Sequence, residues 1–362
     1  MPKSARRWAL LAVTGLAVAA ATGYASAARK ATPTYGHVWV IVMENKGYTE
    51  TFGPATKAPY FGKTLPKMGR LLTGYHGVGH VSLDNYIAMV SGQAANIITQ
   101  SDCQVRPDFV PAVPVTDGQF LGQGCVYPTQ VPTVAGQLDA KKLSWRGYME
   151  DMGLDPAREE AACGVPKTDA LGRDLTQTAT KTDQYAARHN PFVYFHSIID
   201  SPTCTKRVVP LTSLAPDLKS VATTPRFSFI TPDLCSDGHD TPCIDGRPGG
   251  LVNEDMFLRS WIPTIMASPA YQKDGLIVVT YDEAGTNDGS SCCAGRITPN
   301  TPASGIVGSG GGLVGAVLLS PKIKPGSVDS TGYDHFSLLR TIEDNFGLSR
   351  LGFAAKAAAF AR

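Results

Sequence analysis

Carboxylate, amide and imidazole side chains follow three apolar runs of the sequence. Glu44 and Asn45 come directly after HVWVIVM, and Asp282 and Glu283 close the run GLIVVTYDE. The run FSFITPD leads into a polar cluster of Asp233, Asp237, His239 and Asp240. Carboxylate and amide oxygens are hard ligands that favour Ca²⁺, Mg²⁺ or Mn²⁺, while Zn²⁺ is also compatible with them. The pattern predicts a site for one or more divalent metal ions.

A candidate nucleophile lies in the segment GHVSLDNYIAMVSG, where Ser82 comes just before a run with helical spacing. The backbone N–H groups at a helix N-terminus favour an anion such as a phosphoryl group. His80 lies two residues before Ser82, and Asn85 lies about one helical turn after it. Each also has an ordinary structural interpretation, because Ser82 could be a helix cap and Asn85 could pack the helix start.

The elements that must position these residues are buried strands and amphipathic helices. Continuous apolar runs predict strands at 37–43, 193–197, 227–233, 275–283 and 313–320. Helical spacing predicts helices at 85–90, 254–268 and 336–346. Alternating strands and helices predict an α/β fold, a three-layer α/β/α sandwich with a mainly parallel central sheet. The polar residues would then meet at the carboxyl ends of the strands, where such sheets bind ligands.

The N-terminus has the pattern of a signal peptide over residues 1–27. A basic start containing Lys3, Arg6 and Arg7 precedes an apolar run of about 16 residues, and Ala25-Ser26-Ala27 supplies a cleavage site. A retained membrane anchor is the alternative, but the run is short for the ~20 residues that span a bilayer. We therefore expect residues 28–362 to form one exported domain, secreted or associated with the cell wall, with no integral membrane segment.

The eight cysteines all lie beyond the signal sequence, and an even number in an exported chain predicts disulfides. Cys103–Cys125 and Cys163–Cys204 would close short loops and are the preferred pairs. Cys292 and Cys293 are adjacent, so we expect them to bond to different partners. The Pro- and Gly-rich stretch at about 100–135 is interpreted as a disulfide-pinned excursion from the domain.

Composition excludes several classes of protein. The chain has 362 residues, of which 43% are hydrophobic, and a net charge of +2 from 33 basic and 31 acidic residues, without a basic stripe. Nucleic-acid binding is therefore not expected. The sequence contains neither a G-x-S-x-G elbow nor an H-E-x-x-H helix, which argues against serine hydrolases of that type and zincin proteases.

Five blocks in order resemble the bacterial phosphoesterase family, which holds secreted acid phosphatases and phospholipases C within the alkaline-phosphatase-like superfamily. The blocks are MENKGY, GHVSLDNYIAMVSG, TPDLCSDGHD, VVTYDEAG and YDHFSLLRTIEDNFGL. The resemblance spans roughly residues 37–348 and implies the alkaline-phosphatase-like form of the predicted fold. Two positions depart from the family pattern: Asp84 stands where proline is common, and Gly238 replaces a bulkier residue.

The resemblance also implies roles for individual residues. Ser82 matches the nucleophile and would contact the metal, and Asn85 matches an amide that binds the phosphoryl oxygens. The metal ligands would be Glu44, Asn45, Asp282 and Glu283. His239 and Asp240 match a pair in the pocket, and His335 matches a histidine near the C-terminal helix. His239, His80 or His335 could protonate the leaving group.

The resulting hypothesis is a secreted, metal-dependent acid phosphatase that cleaves phosphomonoesters through a phosphoserine intermediate. A phospholipase C that acts on phosphodiesters is the alternative within the same chemistry. The substrate would be a small phosphorylated molecule or a phospholipid head group. A third hypothesis, from another class, is a non-catalytic secreted binding protein on a degenerate phosphatase scaffold.

Overall fold

A computed structural model describes Met1 and residues 34–293, 296–303 and 305–361. Residues 2–27 of the predicted signal peptide lie outside the described residues. The described residues from 34 onward belong to one compact unit. Among the described residues, none of the helices has both the length and the hydropathy needed to cross a bilayer.

Eight of the ten described strands form one sheet in the order β10-β2-β9-β8-β1-β7-β5-β6, and β3 and β4 form a separate hairpin. The strands are β1 His37–Met43, β2 Arg70–His76, β3 Val110–Pro114, β4 Phe120–Gln123, β5 Trp145–Met149, β6 Val208–Pro210, β7 Phe227–Thr231, β8 Gly275–Tyr281, β9 Ala316–Leu319 and β10 Ser327–Asp334. All pairings in the large sheet are parallel except those of β9, which runs antiparallel to β2 and β8. The predicted α/β fold with a mainly parallel sheet is confirmed. The arrangement of the helices in two outer layers stays a prediction.

The centre of the sheet is apolar because its strands are covered on both faces. Every residue of β1, β7, β8 and β9 is buried, as the continuous apolar runs require. These four strands had been predicted from the sequence. The predicted strand at 193–197 is wrong: a 3₁₀ turn at Pro191–Tyr194 and a helix from His196 occupy it. Pro191 fixes the turn, and the Asn190 side chain accepts from the amide of Phe192.

Ten described α-helices connect the strands. They are α1 Tyr48–Phe52, α2 Leu65–Met68, α3 Ser82–Ser91, α4 Val134–Ala140, α5 His196–Ile199, α6 Cys204–Arg207, α7 Leu214–Asp217, α8 Gly250–Met266, α9 Pro269–Asp274 and α10 His335–Phe346. The three helices predicted from spacing correspond to α3, α8 and α10. Helix α3 is buried along its whole length and is followed by Gly92, which adopts the left-handed conformation with φ +69°.

The described cysteines form four disulfides, of which two had been predicted. Cys103–Cys125 pins the excursion that carries the β3–β4 hairpin, and Cys163–Cys204 closes a separate loop. Cys235 bonds to Cys243. The expectation for the adjacent pair is wrong, because Cys292 and Cys293 bond to each other. The other six cysteines pair among themselves and leave these two without another cysteine partner.

Candidate active site

The register of the central strands brings two of the polar clusters together. In the parallel β1–β8 pair, Met43 lies opposite Tyr281, so Glu44 and Asp282 leave the sheet at the same edge. The amide of Asn45 donates to Asp282 Oδ1 over 3.2 Å. Asn45 adopts φ +59°, a left-handed conformation that asparagine tolerates well. In this structure Asn45 contacts the site through its backbone amide.

Ser82 is the first residue of α3, and its hydroxyl points toward this edge. Its Oγ donates to Glu44 Oε2 over 2.9 Å, and the hydroxyl of Tyr86, one turn later, donates to Glu44 Oε1 over 2.7 Å. Glu44 is fully buried. Its pKa is raised well above the ordinary value by burial and by the nearby charges of Asp282 and Asp237. A cation beside Glu44 would favour its charged form.

Asp237, from the segment after β7, and His189, from a 3₁₀ turn at Ala187–His189, lie close to Glu44. One ligand atom from each of Glu44, His189 and Asp237 lies within 4.8 Å of the others, and all three residues are buried. The ring nitrogens of His189 lie 3.3 Å from Glu44 Oε1 and 3.2 Å from Asp237 Oδ2. Burial lowers the pKa of His189 well below its ordinary value, which favours the neutral imidazole that metals bind.

These residues fit a divalent cation. Within the described part of the chain, neither His189 ring nitrogen nor Asp237 Oδ2 makes a hydrogen bond, although all three atoms are buried. Burial raises the pKa of Asp237 well above its ordinary value and that of Asp282 to about 6. Several carboxylates and a neutral imidazole, buried without a cation, form an electrostatically costly set. The imidazole also widens the suitable metals toward Zn²⁺ and Fe²⁺.

Glu283, predicted as a metal ligand, pairs instead with His80. His80 Nδ1 lies 2.8 Å from Glu283 Oε2, and His80 Nε2 lies 3.1 Å from the carbonyl oxygen of Asp288. Both side chains are buried. Burial and the charge of Asp282 raise the pKa of Glu283 well above its ordinary value. The His80–Glu283 pair therefore lies beside the Glu44 cluster and joins it to the loop at 285–288.

The side chain of Asn85 holds the loop before Ser82 in place. Its oxygen accepts from the amides of Val78 and Gly79, and its Nδ2 donates to the carbonyls of Gly79 and Val81. Both donors are thus directed at backbone oxygens, and neither is left for a phosphoryl group. The contacts favour the structural interpretation of Asn85 over the predicted catalytic one.

His335, predicted as a catalytic residue, lies behind the sheet edge. It is fully buried, its Nδ1 is 2.9 Å from the hydroxyl of Tyr75, and its Nε2 contacts the carbonyl oxygen of Asp282. Burial lowers the pKa of His335 to about 4. A neutral ring with both nitrogens in use supports the backbone at Asp282. These contacts favour a structural role for His335 over the predicted proton transfer.

His239 and Asp240 lie at the open side of the site. The His239 side chain is 34% exposed, and its Nδ1 is 2.7 Å from Asp240 Oδ1. Its ring centroid lies 6.2 Å from that of His189. Among the three histidines considered as proton donors, His239 alone combines solvent access with a carboxylate partner. Gly238, which precedes it, adopts φ +97°, and a Cβ there would lie 2.8 Å from Glu254 Oε2. The departure at Gly238 therefore has a steric reason.

Asp84, the second departure from the family pattern, points into the protein. Both of its carboxylate oxygens are buried and make no hydrogen bond to the described residues. Burial, followed by the charges of Glu283 and Asp102, raises the pKa of Asp84 well above its ordinary value. Asp84 lines a cavity behind α3 together with Arg296 and the Cys292–Cys293 disulfide.

The sequence interpretation missed three residues that the structure brings to the site: Asp102, Arg188 and His189. Arg188 and His189 lie in a short 3₁₀ turn between strands, where no apolar run indicates a sheet edge. Asp102 arrives from the disulfide-pinned excursion. The polar sequence Arg188-His189-Asn190 before Pro191 was the available signal. Loops that carry such polar runs are common places for binding residues.

The sequence profile of the Phosphoesterase family matches residues 65–349. The chain belongs to the Phosphoesterase family.

Relatives of known name agree with this assignment. The chain is 28% identical over 290 residues to an acid phosphatase of Aspergillus fumigatus. The aligned region covers 80% of this chain and 51% of the relative. It is 24% identical over 330 residues to the phosphatidylinositol-3-phosphatase of Mycobacterium tuberculosis, covering 91% and 83% of the two chains. The chain spans about half the length of the fungal acid phosphatases it matches.

Solved structures with a similar chain course include a phosphonate monoester hydrolase from Silicibacter pomeroyi. It has 13% sequence identity and a TM-score of 0.48, and the match covers 90% of this chain and 76% of that one. A protein of the alkaline phosphatase superfamily from Vibrio parahaemolyticus matches with 11% identity and a TM-score of 0.47, covering 88% of this chain and 69% of the other.

Proposed function

We propose that this chain is a metal-dependent phosphatase that hydrolyses phosphomonoesters through a phosphoserine intermediate. The observation that carries the proposal is the hydrogen bond from Ser82 Oγ to Glu44, at the edge where Glu44, Asp237, Asp282 and His189 meet. A hydroxyl at a helix N-terminus, held by a carboxylate in a cluster that fits a cation, is arranged for attack on phosphorus.

The first chemical step is an in-line displacement. Ser82 Oγ loses its proton to a neighbouring carboxylate, for which Glu44 Oε2 at 2.9 Å is placed, and forms a bond to phosphorus while the bond to the leaving oxygen breaks. The leaving alkoxide takes a proton from His239, which Asp240 orients. Water then attacks phosphorus while one of its protons passes to His239, and the bond between phosphorus and Ser82 Oγ breaks. Ser82 Oγ takes back the proton held by Glu44, and inorganic phosphate leaves.

A divalent ion bound by Glu44, Asp237, Asp282 and His189 would act as a Lewis acid, lowering the pKa of the serine hydroxyl and neutralising charge on the phosphoryl group. Asn45 and Glu283 stay predicted as additional ligands, although Glu283 faces His80. The protein's own contribution is a buried and rigid frame. Tyr86 fixes Glu44, and His335 fixes the backbone at Asp282.

The names of the relatives support a choice of substrate class. Acid phosphatases and a phosphatidylinositol-3-phosphatase both take their names from phosphomonoester cleavage, so we place phosphomonoesters before phosphodiesters. The similarity to the mycobacterial relative, which extends over 83% of its length, makes a phosphomonoester on a lipid head group the second candidate substrate. Four disulfides among the described residues support export to an oxidising compartment.

The proposal is tested by a comparison of ester substrates. Purified protein is assayed with p-nitrophenyl phosphate, bis-p-nitrophenyl phosphate, p-nitrophenylphosphorylcholine and vesicles containing phosphatidylinositol 3-phosphate, with chelator and with single metals restored. We expect the monoesters to be cleaved, the activity to be lost on chelation, and Ser82→Ala to lower kcat by several orders of magnitude.

Ser91→Ala is the matched control for Ser82→Ala. Ser91 is a buried serine at the other end of α3, and its Oγ donates to the carbonyl of Ile87. Full activity in Ser82→Ala would remove the nucleophile. Hydrolysis of the diesters alone would favour the phospholipase C hypothesis. A protein that retains phosphate binding but cleaves no ester would favour the binding-protein hypothesis.

A further inference from the structure

Arg188 places a guanidinium group among the acidic residues of the site. The residue is 4% exposed and lies in the same 3₁₀ turn as His189. Its Nη1 donates to the carbonyl of Gln177 over 2.9 Å, and its Nη2 lies 3.4 Å from His239 Nε2. Each terminal nitrogen carries two N–H groups. At least one N–H on each terminal nitrogen is therefore not used by these two contacts.

Asp102 connects this guanidinium to the helix that carries the nucleophile. Asp102 Oδ2 lies 3.6 Å from Arg188 Nε, and Asp102 Oδ1 accepts from the amide of Leu83 over 2.9 Å. Leu83 directly follows Ser82. The same carboxylate thus touches both the N-terminus of α3 and Arg188. Its backbone is fixed by Gln177, whose Nε2 donates to the Asp102 carbonyl oxygen over 2.9 Å.

The position of Arg188 can also be traced through the metal-binding cluster. His239, in contact with Arg188, has its ring 6.2 Å from that of His189, and His189 lies 3.3 Å from Glu44. Glu44 accepts the Ser82 hydroxyl. Two routes, through Asp102 and through His239, therefore connect the guanidinium to the residues around Ser82.

The positive charge of Arg188 matters because the residues around Ser82 are mostly acidic. The cluster around Ser82 is built from Glu44, Asp237 and Asp282, which repel an anionic substrate. Arg188 is a cation next to this cluster, since it contacts His239 and pairs with Asp102. A planar guanidinium binds two oxygens of a phosphoryl group at once and always carries its charge. Its effect is largest for the substrate with the most negative charge.

Building on the phosphatase function proposed above, we propose that Arg188 binds the terminal oxygens of the substrate phosphoryl group and selects dianionic monoesters over monoanionic diesters. Asp102 is a positioning residue: it holds the guanidinium by ion pairing and the N-terminus of α3 by a hydrogen bond. Selectivity for the monoester then comes from Arg188, in the 3₁₀ turn before Pro191, and from Asp102, in the disulfide-pinned excursion. Neither residue lies at the strand ends that carry the proposed metal ligands.

The test uses the metal-loaded enzyme and inorganic phosphate as a product-like probe. In Arg188→Ala we expect kcat/KM for p-nitrophenyl phosphate to fall by about ten- to a hundredfold, and the inhibition constant of inorganic phosphate to rise by a similar factor. The residual activity on bis-p-nitrophenyl phosphate should fall by less than about threefold. Added guanidinium ion should restore part of the monoester activity. Asp102→Asn should raise KM for the monoester more than it lowers kcat.

Arg158→Lys provides the matched control, with Arg188→Lys beside it. Arg158 is also a buried arginine that donates to backbone carbonyls and pairs with a buried aspartate, Asp183, but it lies outside the site. Equal losses on monoester and diester in Arg188→Ala, with melting temperature and metal content unchanged, would overturn the selectivity. An unchanged phosphate inhibition constant would overturn the binding role.

Failure of the proposed function gives a different result. A wild-type protein that cleaves no ester would end the phosphatase proposal. Calorimetric titration with inorganic phosphate would then decide the role of Arg188: binding that is lost in Arg188→Ala and kept in Arg158→Lys would support it, and binding that persists in both variants would refute it.

Discussion

Removal of the metal should make the stability of this protein depend steeply on pH. Asp282 is fully buried, and its pKa is raised from 3.8 to about 6, first by burial, while hydrogen bonds from the amides of Asn45 and Glu283 oppose the rise. A folded-state pKa above the unfolded one means that the native state binds the proton more tightly. The free energy of unfolding of the metal-free protein should therefore fall as the pH rises between about 4 and 6.

The magnitude follows from the two pKa values. The difference between 3.8 and about 6 corresponds to about 3 kcal/mol for Asp282 alone. Glu44 and Asp237 change in the same direction. A bound divalent cation replaces these protons, so the stabilisation by metal should be small near pH 4 and greatest above pH 6. Carboxylates whose pKa is lowered, such as Asp344, change the free energy of unfolding mainly below pH 4.

The assay is urea unfolding of chelated and metal-loaded protein at half-unit steps from pH 4 to pH 8. Asp282→Asn should flatten the curve of the chelated protein. Glu343→Gln is the matched control, because the pKa of Glu343 is also raised, to about 8, in α10 and outside the site. It should change the pH dependence but not the effect of metal. A chelated protein that is as stable at pH 7.5 as at pH 5 would refute the reasoning.

Three further outcomes are expected. Asn85→Ala should lower the free energy of unfolding by about 1–3 kcal/mol, because it leaves loop amides unpaired. The inhibition constant of inorganic phosphate should stay nearly unchanged. A large loss of phosphate binding at normal stability would instead show that Asn85 contacts the substrate. Asp84→Asn should raise the melting temperature at pH 7.5, where the buried carboxylate lacks a partner, and have little effect in acid; calorimetry at both pH values checks this. Replacing Cys163 and Cys204 by serines should lower the free energy of unfolding by about 4 kcal/mol, because the disulfide closes a loop of 41 residues in the unfolded chain. Replacing Cys292 and Cys293 should lower it far less. Equal losses in urea unfolding would contradict the entropic account.

The sequence was sufficient to predict those parts of the fold that a continuous apolar pattern encodes. β1, β7, β8 and β9 are such runs, and the carboxyl ends of β1 and β8 do bring Glu44 and Asp282 together. Strands with mixed patterns escaped prediction: β10 is exposed or half-buried until its last two residues, and β2 is mostly half-buried. The run at 193–197 shows the converse error, because an apolar segment next to Pro191 forms a turn instead of a strand.

The candidate site was predictable where residues follow strands and unpredictable where tertiary contacts decide. Whether Asn85 faces a ligand or its own loop depends on the path of residues 78–81, which no spacing rule gives. The pairing of Glu283 with His80 depends on a rotamer choice between two neighbouring acids. Arg188 and Asp102 meet only because a disulfide-pinned excursion crosses the nucleophile helix.

The attachment of Asp102 to that excursion links the assembly of the site to the redox state of its surroundings. Asp102 directly precedes Cys103, whose bond to Cys125 is one of the restraints on the excursion. A chain still in a reducing compartment lacks this bond. It would carry Ser82 and the metal ligands on the sheet edge, but with the carboxylate that orients Arg188 held less firmly. Formation of the disulfide would then complete the assembly of the site, and the oxidised chain should be the more active form.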